Sequence, residues 1–244
     1  MKKIIAIFVL IAAGNFLFAA QPLDNQLPES FRVLRDAVYE SDKSEQTIDS
    51  LYSTAVEFAN QNYEGAELLN LISMCDYVKG LDSFYREDKK NAIKFLDRAI
   101  EGSRKSQAIN KTASSITLLT KALFLRSDYD KIGFGIKWVP KIMGICDEAI
   151  QLNPKYTAAY QMKYAILCYI PAPYGNYKEG AVKMYSLLDD SWAKEKDDYF
   201  SICCCYAYAL EKTNRKVEAK EWYKKALTYY PNNKACLKAL ADCK

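Results

Sequence analysis

Histidine does not occur among the 244 residues, and glycine and proline are scarce, at nine and seven. Without imidazole, Ser-His-Asp and Cys-His nucleophiles and histidine-ligated zinc are excluded. The shortage of glycine and proline removes the punctuation that β-sandwiches and turn-rich α/β enzymes rely on. No run of five like charges interrupts a chain whose formal net charge is +4. It therefore has neither the electrostatic footprint of a nucleic-acid binder nor a polybasic membrane patch. What is plentiful is apolar and aromatic: half the residues are hydrophobic, and tyrosine alone accounts for 19. A chain with this much apolar side chain is not disordered, and its composition points to a helix-rich globular protein.

Residues 1–20 read MKKIIAIFVLIAAGNFLFAA. Lys2 and Lys3 precede an apolar run from Ile4 to Ala13, which Gly14 and Asn15 break. Ala19 and Ala20 offer a cleavage point before Gln21, with Phe18 at the −3 position. The run is short of the ~20 apolar residues a spanning helix needs. The expectation is a cleaved signal peptide rather than a retained anchor, with no stable membrane span afterwards. Export to a bacterial periplasm, or secretion, follows from it. Loss of the two leader lysines takes the net charge from +4 to +2.

The eight cysteines, at positions 75, 146, 168, 203, 204, 205, 236 and 243, are spaced too irregularly for a small disulfide scaffold. Cys203, Cys204 and Cys205 fall in a helical stretch, where neighbours point ~100° apart. Cys236 and Cys243 share a helical face at ~10.5 Å, too far for a bridge. The cysteines read as small buried hydrophobes, with one or two inter-helix bridges as the alternative. There is no C-x-x-C pair, and neither a metal nor a cofactor is expected.

The clearest pattern is the 34-residue stretch FSICCCYAYALEKTNRKVEAKEWYKKALTYYPNN, from Phe200 to Asn233. Ala207, Leu210, Ala219, Tyr223, Ala226 and Pro231 fall at its eighth, eleventh, twentieth, twenty-fourth, twenty-seventh and thirty-second positions, and Asn214 and Arg215 at its turn. This stretch resembles a tetratricopeptide repeat. Ala149 and Pro154 end an earlier unit, and a frame starting at Thr157 follows. That frame carries a bulky Tyr164 at the eighth position and a Pro/Gly-rich loop at 169–176 before Gly180 and Met184. The best repeats are 140–190 and 200–233. Gly80, Ala92, Leu96 and Ala99 fit a further unit. The 50 residues from Ala99 to Ala149 are expected to hold longer helices, with Thr112–Arg126 buried. Glu29–Glu40 and Glu45–Asn62 have helical periodicity, with Leu51, Ala55, Phe58 and Ala59 on one face. Residues 234–244 read as a capping helix. The resemblance implies an all-α fold: a right-handed α-solenoid of antiparallel helix hairpins forming one domain over 21–244.

Ligands of such repeats lie in a concave groove lined by the first helix of each hairpin. The resemblance places Ala158, Gln161, Ala165, Cys168 and Tyr169 there, and Ser201, Cys204, Tyr208, Glu211 and Lys212 in the last repeat. With Lys212 the one cation among them, a clamp for a peptide's terminal carboxylate is not expected. The groove reads as aromatic and polar, and the partner-binding candidates are Gln161, Tyr169, Tyr174, Tyr208, Glu211 and Lys212. Tyr174 stands on the loop Ile170–Gly175, which is positioned to fold over the groove mouth. The implied function is that of a non-enzymatic periplasmic scaffold or adaptor for a protein or peptide.

The alternative comes from APYGN followed by YKEGAVKMY, which looks like the loop of periplasmic repeat proteins associated with TRAP-type solute transporters. That resemblance implies handling of a small hydrophobic ligand, with a TRAP-type solute-binding protein as partner and a pore or closed cavity inside. Gly133-Phe134-Gly135 is a fragment of a nucleotide fingerprint and reads as a bend. The pairs Asp189-Asp190 and Asp197-Asp198 read as helix-end acids.

Overall fold

The computed structural model describes residues 27–130, 138–189, 191–192 and 194–243. The expected leader at 1–20, Gly133-Phe134-Gly135 and Asp190 lie outside them. Among the described residues there are eleven α-helices and no strand: α1 (Glu29–Glu40), α2 (Glu45–Asn62), α3 (Gly65–Tyr85), α4 (Lys89–Ile109), α5 (Ala113–Arg126), α6 (Val139–Leu152), α7 (Thr157–Tyr169), α8 (Tyr177–Ser186), α9 (Lys196–Lys212), α10 (Lys216–Leu227) and α11 (Lys234–Asp242). A short 3₁₀ turn, Ser127–Tyr129, follows α5. No helix of the described residues is long and apolar enough to cross a membrane.

Local chemistry sets the helix ends. Side chains of Ser44, Asp88, Thr112, Asn176 and Asn233 each accept a hydrogen bond from the backbone N–H three residues on, capping α2, α4, α5, α8 and α11. Each such cap stabilises its helix by about 1 kcal/mol. The α9–α10 turn closes through Asn214 at φ 65°, a left-handed position that Asn tolerates well.

Each helix packs on the one that follows, and α1, α3, α5, α7 and α9 also pack on one another in succession. Odd-numbered helices are thus flanked on several sides, while even-numbered ones keep one face in solvent. This explains why α5 is buried nearly all round, from Ala113 to Leu123. Small residues allow the closest crossings. A Cβ on Gly80 would lie 3.0 Å from Leu96, and one on Gly180 would lie 2.8 Å from the Cys168 sulfur. Bulky Tyr164, half-buried beneath the Lys183 ammonium, is accommodated because α7 and α8 approach each other at Gly180 instead.

Between Ala99 and Ala149 the described helices divide unevenly: α5 and α6 have 14 residues each, whereas α4 has 21 and runs on past Ala99 to Ile109.

The first helix also meets the last third of the chain. The Tyr230 hydroxyl donates to Asp36 at 2.7 Å, Asn232 donates to Glu40 at 2.7 Å, and Asn233 donates to the Tyr39 carbonyl at 2.6 Å. Tyr39 stacks on Tyr230 and meets Phe200 edge-on, with centroids 5.2 and 5.6 Å apart. These partners lie up to 194 residues apart in sequence. The helix array therefore returns to its own beginning.

Candidate functional site

Side chains of the odd-numbered helices line two adjoining cavities of about 200 and 340 Å³, both partly open to solvent. Tyr39, Tyr77 and Lys121 border both. The smaller cavity is walled by Phe31 and Arg35 of α1, Met74 and Val78 of α3, Thr117 and Leu118 of α5, Ala158 of α7, and Asp197 and Asp198 of α9. The larger is more apolar. It is formed by Leu81 and Tyr85 of α3, Phe124 and Leu125 of α5, Met162 and Ala165 of α7, Cys204 and Tyr208 of α9, and Cys236 and Ala239 of α11.

The charged end has a definite geometry. Arg35, with its side chain 3 % exposed, lies 2.7 Å from Asp197, 3.0 Å from Asp36 and 3.5 Å from Glu195. Its contact with Asp197 has ion-pair distance without hydrogen-bond alignment. Burial opposes the charge on Arg35, but Asp197 and Asp36 outweigh it and hold its pKa above the ordinary guanidinium value. Asp198 accepts the backbone N–H of Glu195 at 3.0 Å, which closes the first turn of α9. That turn agrees with the helix-end reading of Asp197-Asp198, and it now also forms a cavity wall.

Burial, and then the neighbouring Asp197 charge, push the Asp198 carboxyl up to about 7, against the pull of Lys121 and Arg35. A raised acid pKa means that, between roughly pH 4 and 7, the folded chain keeps a proton the unfolded chain has released. Stability contributed by this group therefore falls as pH rises through that window. Asp198→Asn is expected to flatten the decline and to stabilise the protein at pH 8 by on the order of 2 kcal/mol. Urea unfolding at pH 5 and pH 8 measures it, and an equal pH dependence in both proteins would sink the assignment.

Three further groups give the interior its polar character. Lys121 borders both cavities, and among the described residues it stands in no close ion pair. The Gln161 carbonyl oxygen and the Thr117 hydroxyl are buried without a hydrogen-bond partner among the described residues, in side chains 7 % and 2 % exposed. Unpartnered buried acceptors cost about 1–3 kcal/mol unless something satisfies them.

The sequence-derived candidates divide between the interior and the surface. Gln161, Tyr169 and Tyr208 border the larger cavity, with the rings of Tyr169 and Tyr208 4.7 Å apart. Glu211 lies half-buried beside it, accepting from the Tyr223 hydroxyl at 3.3 Å. Lys212 is exposed and sits over the Tyr208 ring at 4.9 Å. Tyr174 is not brought to the others. It is 46 % exposed on its loop and borders neither cavity. That loop folds back on the end of α7, with Asn176 N–H donating to the Leu167 carbonyl.

Arg35, Lys121, Thr117 and Asp198 were missed as site residues. Asp198 carried only a helix-end reading, and no local pattern marks a single charge as inward-facing.

Among the described residues, no group of three or more Cys, Asp or Glu is placed to hold a metal. Compared with known proteins, the chain is matched by no family model, and no curated protein matches it significantly.

Proposed function

We propose that this protein is a non-catalytic carrier. In this reading it is a tetratricopeptide-like solenoid, closed end to end, that holds one small, largely hydrophobic molecule in its interior. The observation that carries the reading is the pair of adjoining cavities walled by five successive inner helices and α11. A concave, mostly apolar space with a few converging polar groups is what small-ligand sites consist of. An adaptor for a folded partner presents a long, shallow groove instead.

The apolar body of the ligand lies against Leu81, Leu125, Met162, Ala165 and the surrounding rings. Its polar end reaches the Lys121 ammonium and the Thr117 hydroxyl, both donors, so an acidic head on an aliphatic or aromatic body fits best. Export through the N-terminal leader and exchange of the ligand with a TRAP-type solute-binding protein complete the proposal.

The test is titration of the full chain with dodecanoate by calorimetry, beside Lys121→Met. Saturable one-to-one binding is expected, weakened roughly tenfold or more by loss of one charge-assisted contact. Absence of binding, together with capture of a specific protein on the outer surface, would replace the carrier reading by the adaptor one.

A further inference from the structure

Seven of the eight cysteines are buried, and Cys204 alone is half-buried. Its sulfur is 3.7 Å from that of Cys236, towards which its S–H is directed. The Cys236 S–H in turn donates to the Tyr223 carbonyl at 3.6 Å. Cys204 lies in the middle of α9 and Cys236 in the first turn of α11, and both border the larger cavity. Of the other members of the cysteine triplet, burial pushes Cys203 up to about 12 and Cys205, which also borders the larger cavity, up to about 11. The Cys204 S–H, by contrast, favours a thiolate at Cys236 and lowers its pKa. Thiolate character and access decide which cysteine reacts.

We propose that Cys204 and Cys236 form a reversible disulfide that fastens α11 to α9 as a wall of the cavity. The bond length of about 2.05 Å requires the sulfurs to close by less than 2 Å, within reach of side-chain rotation. The oxidant is an external disulfide, either a small molecule or a dithiol protein. Both cysteine S–H bonds break, one S–S bond forms, and two protons and two electrons pass to the external disulfide, which is released as two thiols. Attack by the Cys236 thiolate or by Cys204 leads through a mixed disulfide to the same product. The proposal does not depend on what occupies the cavity, only on the two sulfurs meeting.

Its consequence is local. α11 has nine residues, of which Cys236 is the one fully buried, and segments with few buried contacts open most readily. A covalent tie in its first turn links that opening to α9, which sits in the middle of the packing.

The test uses the full chain, first reduced and then incubated without denaturant with excess oxidised glutathione. Thiols are counted in denaturant after the excess is removed. The expected count falls from eight to six, and Tm rises by roughly 5 °C. Cys204→Ala and Cys236→Ala each lose at most one of seven thiols, to a mixed disulfide with glutathione, whereas Cys203→Ala and Cys205→Ala each fall from seven to five. Amide exchange over 234–242 slows about tenfold on oxidation. Survival of all eight thiols, or loss of two in Cys204→Ala, overturns the pairing. Unchanged amide exchange in the oxidised protein overturns the clamp.

Discussion

Arg35→Met is expected to destabilise the protein by about 3–5 kcal/mol, because it removes one partner of a buried ionic cluster and leaves the others uncompensated. Asp197, only 13 % exposed in its side chain, would lose its 2.7 Å partner. Asp198, already held partly neutral by burial, would lose one of its two stabilising charges. For a chain of this length the loss corresponds to a fall in Tm of roughly 10 °C.

The cost arises from the orphaned acids more than from the missing attraction. Arg35→Met combined with Asp197→Asn should therefore recover about half of it, as replacement of both members of a buried pair often does. Thermal unfolding of wild type, both single variants and the double variant completes the cycle. A single variant within 1 kcal/mol of wild type would show that α1 is held by apolar contact alone.

Tyr230→Ala is expected to cost about 4 kcal/mol, a cavity-forming deletion at the largest fully buried side chain among the described residues. Its ring is enclosed by Tyr39, Phe200 and the Lys196 ammonium, the last 4.2 Å from the centroid. Tyr230→Phe removes only the hydroxyl that donates to Asp36 and should cost about 1 kcal/mol. The ratio of the two losses in urea separates ring packing from the hydrogen bond. Equal losses would mean that the hydroxyl, not the ring, carries the seam.

Much of this architecture was legible in short-range pattern. The boundaries of α1 and α2 agree with the periodic stretches Glu29–Glu40 and Glu45–Asn62. The α9–α10 turn falls at Asn214, and α11 occupies the segment read as a cap. Of the residues that the resemblance placed in a groove, Ala158, Gln161, Ala165, Tyr169, Ser201, Cys204 and Tyr208 border a cavity, whereas Cys168, Glu211 and Lys212 do not. Helical period and small-residue spacing are properties of neighbouring residues, so a single chain displays them.

The return of the chain on itself is of a different kind. It depends on Tyr39 meeting Tyr230 and on Arg35 meeting Asp197, pairs that no periodicity links. The small twist between successive helices, summed over the whole array, decides whether the ends meet. The same limit hid Lys121: in the sequence it is one lysine in an apolar helix, and only closure of the array makes it an interior charge.

That meeting of first and last elements has a mechanical consequence. A linear stack of hairpins has two outer edges, melts inward from either, and tolerates gain or loss of a unit because each touches only its neighbours. An array joined through Tyr39, Tyr230 and Asn233 has no such edge, and its circumference is fixed. Deleting a pair of neighbouring helices would pull the seam apart rather than shorten a rod, so the number of helices becomes as constrained as any buried side chain.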